Sequence, residues 1–577
     1  MRGKKYFVAG CLCVLVLLLF AVYFNVSRLY GDSAFYLFKI VNHEKFVIEH
    51  NRPIAAVIEI LPYFLTRISA SMSAIILSFS LNEWLYFAVS FFVISLLLKN
   101  PTAGFAMLFA YIAGSRWNYF NPVSELILST PLYFILYSLL DRKPGKIIMA
   151  FISLLIVLLV FNHPLNSIIV PALLILYWLG RTPENKKPFI FMLAILIMTI
   201  IAHYFVLDNY ERNPMQQHDK DYSPISYLLK FNYARFWSKT IPWYLGTLVL
   251  FSFSFFYLFK QRKYRLLASS FLFAAIYFSL VMYSSSFLYP NTYEPFERYL
   301  FLLPVFSSVL FFLSCKQENV FVRYIVPVVL IIYHLGLNFI YGQFVKGRYA
   351  YFEKIISYAQ QFPEQKMAIR NSNYYYIKPR GHDWEMPNES LLLSSRQGRE
   401  NVRQVFIREA FSGEMLSNLQ EDQFFYSPSL PGQMNTTSQK YFPLTPCKIR
   451  YANTDSDQSN LPEAFFKNIS IECDVPKKLH PGKEISIPVT LRNKNREPLT
   501  SGMNTVKVAI SYLWYKDGNP MPWDSIQSPI LVDVYSEVNQ EMILRMPKEK
   551  GTYELRIDII FKESKWAGVS SERLILK

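Results

Sequence analysis

The sequence predicts a polytopic α-helical membrane domain, then a small α/β region, then a C-terminal all-β sandwich. Three observations carry the prediction. Apolar blocks of roughly 16 to 20 residues, near the length that spans a bilayer core of about 30 Å, recur up to residue 341 and then stop. From Leu461 onward, short alternating apolar and polar segments separated by turn residues replace them, the pattern of a two-sheet sandwich. Apolar residues make up 52% of the chain, and much of the excess behind its net charge of +17 lies in short loops between apolar blocks. That distribution is the positive-inside signature of a membrane protein and excludes nucleic acid as the partner. The predicted domains are therefore 1–341, 342–460 and 461–577.

The first block, residues 6–25, follows Arg2, Lys4 and Lys5, which hold its start in the cytoplasm. Large aromatic and branched residues around Tyr23-Phe24-Asn25-Val26 make a poor peptidase site, so the block is expected to stay as an uncleaved anchor. Residues 54–98 are too long for one helix and contain Arg67, Asn82 and Glu83; they hold one crossing or three. Further crossings are expected near 102–118, 123–140, 147–161, 165–180, 189–207, 241–259, 265–283, 299–315 and 324–341. This register gathers Arg142, Lys143, Lys146, Lys186, Lys260, Arg262, Lys263 and Arg323 on the cytoplasmic side. It exports residues 342–577 across what is expected to be a bacterial inner membrane.

Between 342 and 460 the pattern is mixed, with a helical stretch from Tyr351 to Gln361, a short apolar run from Ser390 to Ser394 and a turn-rich stretch from Pro428 to Pro446. The run Tyr374-Tyr375-Tyr376 fits a half-buried strand better than a sugar-stacking platform. Strands are expected at Ile469–Cys473, Ile485–Leu491, Val506–Tyr512, Ile530–Tyr535, Gln540–Met546, Tyr553–Ile560 and Arg573–Leu576. Cys11, Cys13 and Cys315 fall in or beside helices, whereas Cys447 and Cys473 share the exported region and are open to pairing there.

The chemistry is expected at the far side of the first helix, where Asp32 emerges. Ionisable groups at a membrane boundary are costly and tend to face a cavity or pathway. A carboxylate at a partly dry boundary gains basicity by desolvation and suits general-base work; the bland alternative is a helix cap. Arg298, in Glu294-Pro295-Phe296-Glu297-Arg298-Tyr299, sits where an outer loop enters a helix and suits bidentate phosphate contact, against snorkelling or pairing with Glu294 or Glu297. Arg52 with His50 forms a second cationic candidate, and His163, in Phe161-Asn162-His163-Pro164, a third. In the long loop 208–240, His218 with Asp219 and Asp221 offers a divalent cation a site, but the spacing lacks calcium-loop regularity and a solvated loop is the better reading. No phosphate-cradling Gly-rich loop, nucleophile elbow or zinc signature occurs.

The segment Arg28-Leu29-Tyr30-Gly31-Asp32-Ser33-Ala34-Phe35-Tyr36, an acid in the first outer loop with aromatics after it, resembles the type C glycosyltransferase superfamily, as does the polytopic architecture. Many members carry a second acid beside the first; Ser33 holds that position here. The resemblance implies an enzyme that takes a sugar from a polyprenyl-phosphate carrier at the outer face and passes it to a glycan, lipid or protein acceptor. Asp32 would be the catalytic base, and Arg298, with Arg52 and His50, would bind the donor phosphate. A polysaccharide polymerase or ligase and a flippase for lipid-linked glycans are the competing readings. Ile487-Pro488-Val489-Thr490-Leu491-Arg492-Asn493, Val508–Trp514 and Gly551–Leu555 resemble an immunoglobulin-like module of bacterial envelope proteins, which implies a spacer or docking role.

Overall fold

The computed structural model describes the chain apart from residues 1, 49–51, 144, 182–186, 208–232, 289–299, 316–318, 361–363, 372–384, 409–422, 428–429, 434–436, 448, 454–462, 474, 477–479, 496–498, 501–507, 523–525, 533–535, 550, 562–564, 570–573 and 577. It forms two compact units, Met1–Lys346 and Gly347–Lys577.

In the first unit, α1 (Arg2–Tyr23) confines its charge to the first turn and is apolar thereafter. A 3-10 turn, Val26–Leu29, leads to Gly31, whose φ of +68° is a conformation that side chains rarely adopt and that lets the chain reverse into α2 (Asp32–His43). The segment 54–98 resolves into α3 (Ala55–Arg67) and α4 (Met72–Phe92), the latter prolonged by a π turn, Val93–Leu97. Ser71 caps α4 by accepting from the Ala74 N–H at 3.3 Å. The 13 residues of α3, with Pro62 inside, extend only about 20 Å, too short for a bilayer core. The segment therefore provides one helix long enough to cross, Met72–Leu97, and one short companion.

The helices that follow are α5 (Pro101–Ser115), α6 (Glu125–Leu128), α7 (Thr130–Leu140), α8 (Lys146–Asn162), α9 (Asn166–Arg181) and α10 (Lys187–Val206). Then come α11 (Tyr233–Lys260), α12 (Tyr264–Leu288), α13 (Leu302–Ser314) and α14 (Val326–Ala359). Six helices among the described residues are long and apolar enough to cross a membrane, lying in α1, α4, α10, α11, α12 and α14. Shorter apolar helices cover 125–140, 146–162, 166–180 and 302–314. The expected crossing at 324–341 is the first part of a longer helix, because the amphipathic stretch after Tyr341 continues its backbone hydrogen bonding to Ala359.

α5 is the hub: every residue from Ala103 to Ser115 is buried. A Cβ at Gly10 of α1 would collide with the Phe91 ring of α4, and one at Gly104 of α5 would collide with Ser95 Oγ in the π turn after α4 and crowd the same ring. Small residues thus let three helices meet, the usual means of close packing where lipid offers no hydrophobic drive.

The second unit begins in the last turns of α14. A parallel three-stranded sheet follows, with β1 (Lys366–Arg370) between β2 (Gln404–Arg408) and β5 (Arg450–Asn453). The apolar run at 390–394 lies in the crossover helix α15 (Met386–Ser395), whose every residue through Ser394 is buried. A hairpin, β3 (Gln423–Ser427) and β4 (Leu430–Gln433), lies between β2 and β5 in sequence.

From 463 onward the strands are antiparallel. β6 (Ile469–Cys473), β7 (Glu484–Asn493) and β13 (Ser536–Arg545) make one sheet. β9 (Val508–Lys516) and β14 (Tyr553–Phe561) are the long strands of a second, joined by β10 (Asn519–Pro520), β11 (Ser528–Pro529), β15 (Lys565–Trp566) and β16 (Leu574–Leu576). A small pair, β8 (Leu499–Thr500) with β12 (Leu531–Val532), completes the set. Alternate residues Ile487, Val489 and Leu491 from β7 share one core with Ile510 and Tyr512 from β9 and Leu555, Ile557 and Ile559 from β14. Polar tips bridge the sheets: Trp514 Nε1 donates to the Arg545 carbonyl at 2.9 Å, and the Tyr512 hydroxyl accepts from the Arg545 N–H at 2.7 Å. No disulfide joins Cys447 and Cys473.

Candidate functional site

α1 delivers the chain into a buried polar junction. Arg28, in the 3-10 turn, is completely enclosed; its Nη1 donates to the Ser80 carbonyl at 3.0 Å and its guanidinium pairs with Glu83 of α4. The Tyr119 ring lies beneath the same guanidinium at 4.4 Å from the ring centroid. Glu83 also accepts from the Tyr111 hydroxyl at 3.1 Å, and Ser80 Oγ donates to the Ala21 carbonyl at 2.6 Å. An unpaired charge at such depth would cost several kcal/mol, so these partners are what permit an arginine and a glutamate there.

Three residues beyond this anchor, Gly31 turns the chain and Asp32 becomes the first residue of α2, half-buried. A carboxylate in the first helical turn is favoured by the positive end of the helix dipole. Ser33 Oγ donates to Asn121 Oδ1 at 2.7 Å, tying this turn to the segment between α5 and α6. Asn121 Nδ2 and Asn118 Oδ1 are buried with no hydrogen-bond partner among the described residues. At the other end of α2, burial and then the nearby cations Lys45 and Lys39 hold His43 below the usual imidazole range.

Arg52 meets Glu125 at 3.1 Å, each side chain only about one-tenth exposed (11% and 9%), so the cation expected at a donor phosphate has its charge answered by a carboxylate. Glu59 accepts from the Val47 N–H at 2.6 Å and holds the chain between α2 and α3. His163 ends α8; its Nδ1 accepts from the Leu165 N–H at 3.1 Å, which places the proton of the neutral ring on Nε2. Beside it, Asn166 donates to the Leu159 carbonyl at 2.6 Å and accepts from the Tyr133 hydroxyl.

His50, Glu294, Glu297 and Arg298 lie outside the described residues, as do His218, Asp219 and Asp221. Among the described residues no group of three His, Cys, Asp or Glu side chains could hold a metal ion. The junction that is described was legible only in part. Glu83 stood out in the sequence as an acid inside an apolar block, and Arg28 as a base beside Asp32, but nothing in sequence spacing pairs positions 28 and 83. Glu125, flanked by Ser124 and apolar residues, gave no signal. Chemically, the junction offers a half-buried carboxylate on a turn held by the Arg28–Glu83 ion pair before it and by the Ser33–Asn121 hydrogen bond after it. Compared with protein-family models, curated proteins and solved structures, the chain matches none of them.

Proposed function

We propose that this chain is an integral-membrane glycosyltransferase that moves a sugar from a polyprenyl-phosphate carrier to an envelope glycan, lipid or protein acceptor at the outer face of the membrane. The observation that carries the reading is Asp32: a half-buried carboxylate on the turn directly after α1, backed by the fixed Ser33–Asn121 contact. In the proposed reaction Asp32 takes the acceptor hydroxyl proton as the new bond to the sugar's anomeric carbon forms. The bond from that carbon to the carrier phosphate breaks, and the phosphate leaves with the electron pair. Arg298, which in the sequence stands where an outer loop enters a helix, is assigned to the departing phosphate on the planar fork of its guanidinium. The C-terminal antiparallel unit is assigned as an immunoglobulin-like module on the exported side.

Replacing Asp32 with Asn keeps the side chain's shape but removes the proton acceptor, so turnover should fall by about 100-fold or more while donor binding survives. Sugar transfer from a synthetic polyprenyl-phosphate donor, followed with purified protein, measures this. Near-normal transfer by folded Asp32→Asn would reduce Asp32 to the first residue of α2 and overturn the catalytic assignment. The buried Arg28–Glu83 pair favours one alternative, a flippase for lipid-linked glycans, since ionisable pairs inside a helical bundle recur in transporters. Movement of a fluorescent lipid-linked glycan across vesicles without sugar transfer would select it.

A further inference from the structure

At the end of the first unit opposite Asp32, where α1 begins, the helix ends enclose a cavity of about 920 Å³. That is in the size range of small-molecule sites, roughly 300–1,000 Å³. Its lining combines two chemistries. Phe134, Val309 and Phe312 are apolar, and Tyr137, Gln261, Lys263 and Arg323 are polar or charged. Asp141 is the acid among the lining residues, so two cations face one anion.

Local structure sets the backbone that carries each cation. Arg262 adopts φ +55°, the turn between α11 and α12 from which Lys263 projects. The Tyr6 hydroxyl donates to the Arg323 carbonyl at 3.0 Å and fixes the π turn that carries Arg323. Gln261 Nε2 donates to the Ser314 carbonyl at 2.8 Å, joining the ends of α11 and α13. Lys4, Lys5, Arg142, Lys143 and Arg265 crowd the same helix ends in sequence and add to the positive field.

We infer that this cavity binds the phosphate-bearing headgroup of an anionic lipid. Lys263 and Arg323 meet the phosphate, and the aromatic wall takes the first carbons of the acyl chains. A net positive site discriminates against zwitterionic lipid, and an apolar wall is of no use to inorganic phosphate, which shares only the cationic half of the chemistry. The 22 residues of α1 put the cavity on the order of 33 Å from Asp32, so this site stands apart from the proposed transfer chemistry.

Delipidated full-length protein in neutral detergent, titrated with phosphatidylglycerol and with phosphatidylcholine under native mass spectrometry, tests the inference. Phosphatidylglycerol should be retained about ten-fold more strongly, and millimolar inorganic phosphate should displace it only in part. Lys263 is exposed, so Lys263→Gln should melt as the parent does and lose several-fold of that retention; Arg323→Gln should lose more. Equal retention of the two lipids, or unchanged retention in folded Lys263→Gln, overturns the proposal. Inorganic phosphate binding as tightly as phosphatidylglycerol would assign the cavity to a soluble phosphate instead and overturn the lipid reading.

Discussion

The Arg28–Glu83 pair sets the rules for its neighbourhood. Both side chains are essentially without solvent contact, at 1% and 0% exposure, so removing one partner strands the other. Arg28→Ala or Glu83→Gln should each lower stability by about 3–5 kcal/mol, whereas an apolar replacement of both, Arg28→Met with Glu83→Leu, should recover most of that loss. Thermal unfolding of purified protein in one detergent compares the three variants. Singles that melt with the parent would show that the pair does not hold the turn before Asp32. Asp32 is placed by this anchor on one side and by the Ser33–Asn121 hydrogen bond on the other. Its neighbours in sequence advertised the acid, but not what holds it.

At the scale of elements, α3 and β14 show two ways in which context overrides pattern. Residues 54–98 are too long for one helix and leave one crossing or three open by pattern alone, and the positive-φ turn at Ser69 divides them into a short helix packed on a long one. In β14, Asp558 is buried amid apolar neighbours. It persists because Oδ1 accepts from the Ile559 and Val569 N–H groups at 2.7 and 3.0 Å and Oδ2 accepts from the Gly568 N–H at 3.0 Å. Asp558→Ala leaves these donors without their acceptor and should cost about 2 kcal/mol or more. Burial is the larger influence on its acidity and raises its pKa above the usual carboxylate value, against the lowering by the three N–H donors. The folded state therefore holds this proton to higher pH than the unfolded chain does. Its contribution to stability is most favourable below the unfolded value and declines as pH rises through the folded one. Denaturant titrations of the parent and Asp558→Ala at several pH values should show their difference in stability shrinking as pH rises across that window. A constant difference would remove the titration from the account.

At the scale of the whole molecule, an apolar helical unit precedes a unit of parallel and then antiparallel sheet, and the division falls at 346/347. The arrangement of basic loops predicts that the second unit lies outside the cytoplasm, as the proposed function requires. A reporter active only in the cytoplasm, fused after Lys577, should stay silent, and one active only outside should work. Activity of the cytoplasmic reporter would invert the register and place Asp32 on the wrong side for a carrier-linked donor at the outer face.

Periodicity and charge determine much of this chain on their own. Apolar blocks locate most of the helices to within a few residues because a bilayer-length run of apolar side chains has few other stable outcomes, whereas α11 starts well before its block and α14 runs well past its own. Alternation locates β6, β7, β9, β13 and β14 because a half-buried strand must place every second side chain inward. The short strands β8, β10, β11 and β15 carry too few residues to show a period, and only their partners define them. What lay beyond the sequence is which buried groups meet. Arg28 finds Glu83 across 55 positions, Arg52 finds Glu125 across 73, and Ser33 finds Asn121 across 88, through helix packing that no local pattern encodes. Tertiary structure decided those pairs because a charge or hydroxyl removed from water must be matched by whatever the fold brings beside it, wherever that partner stands in the chain.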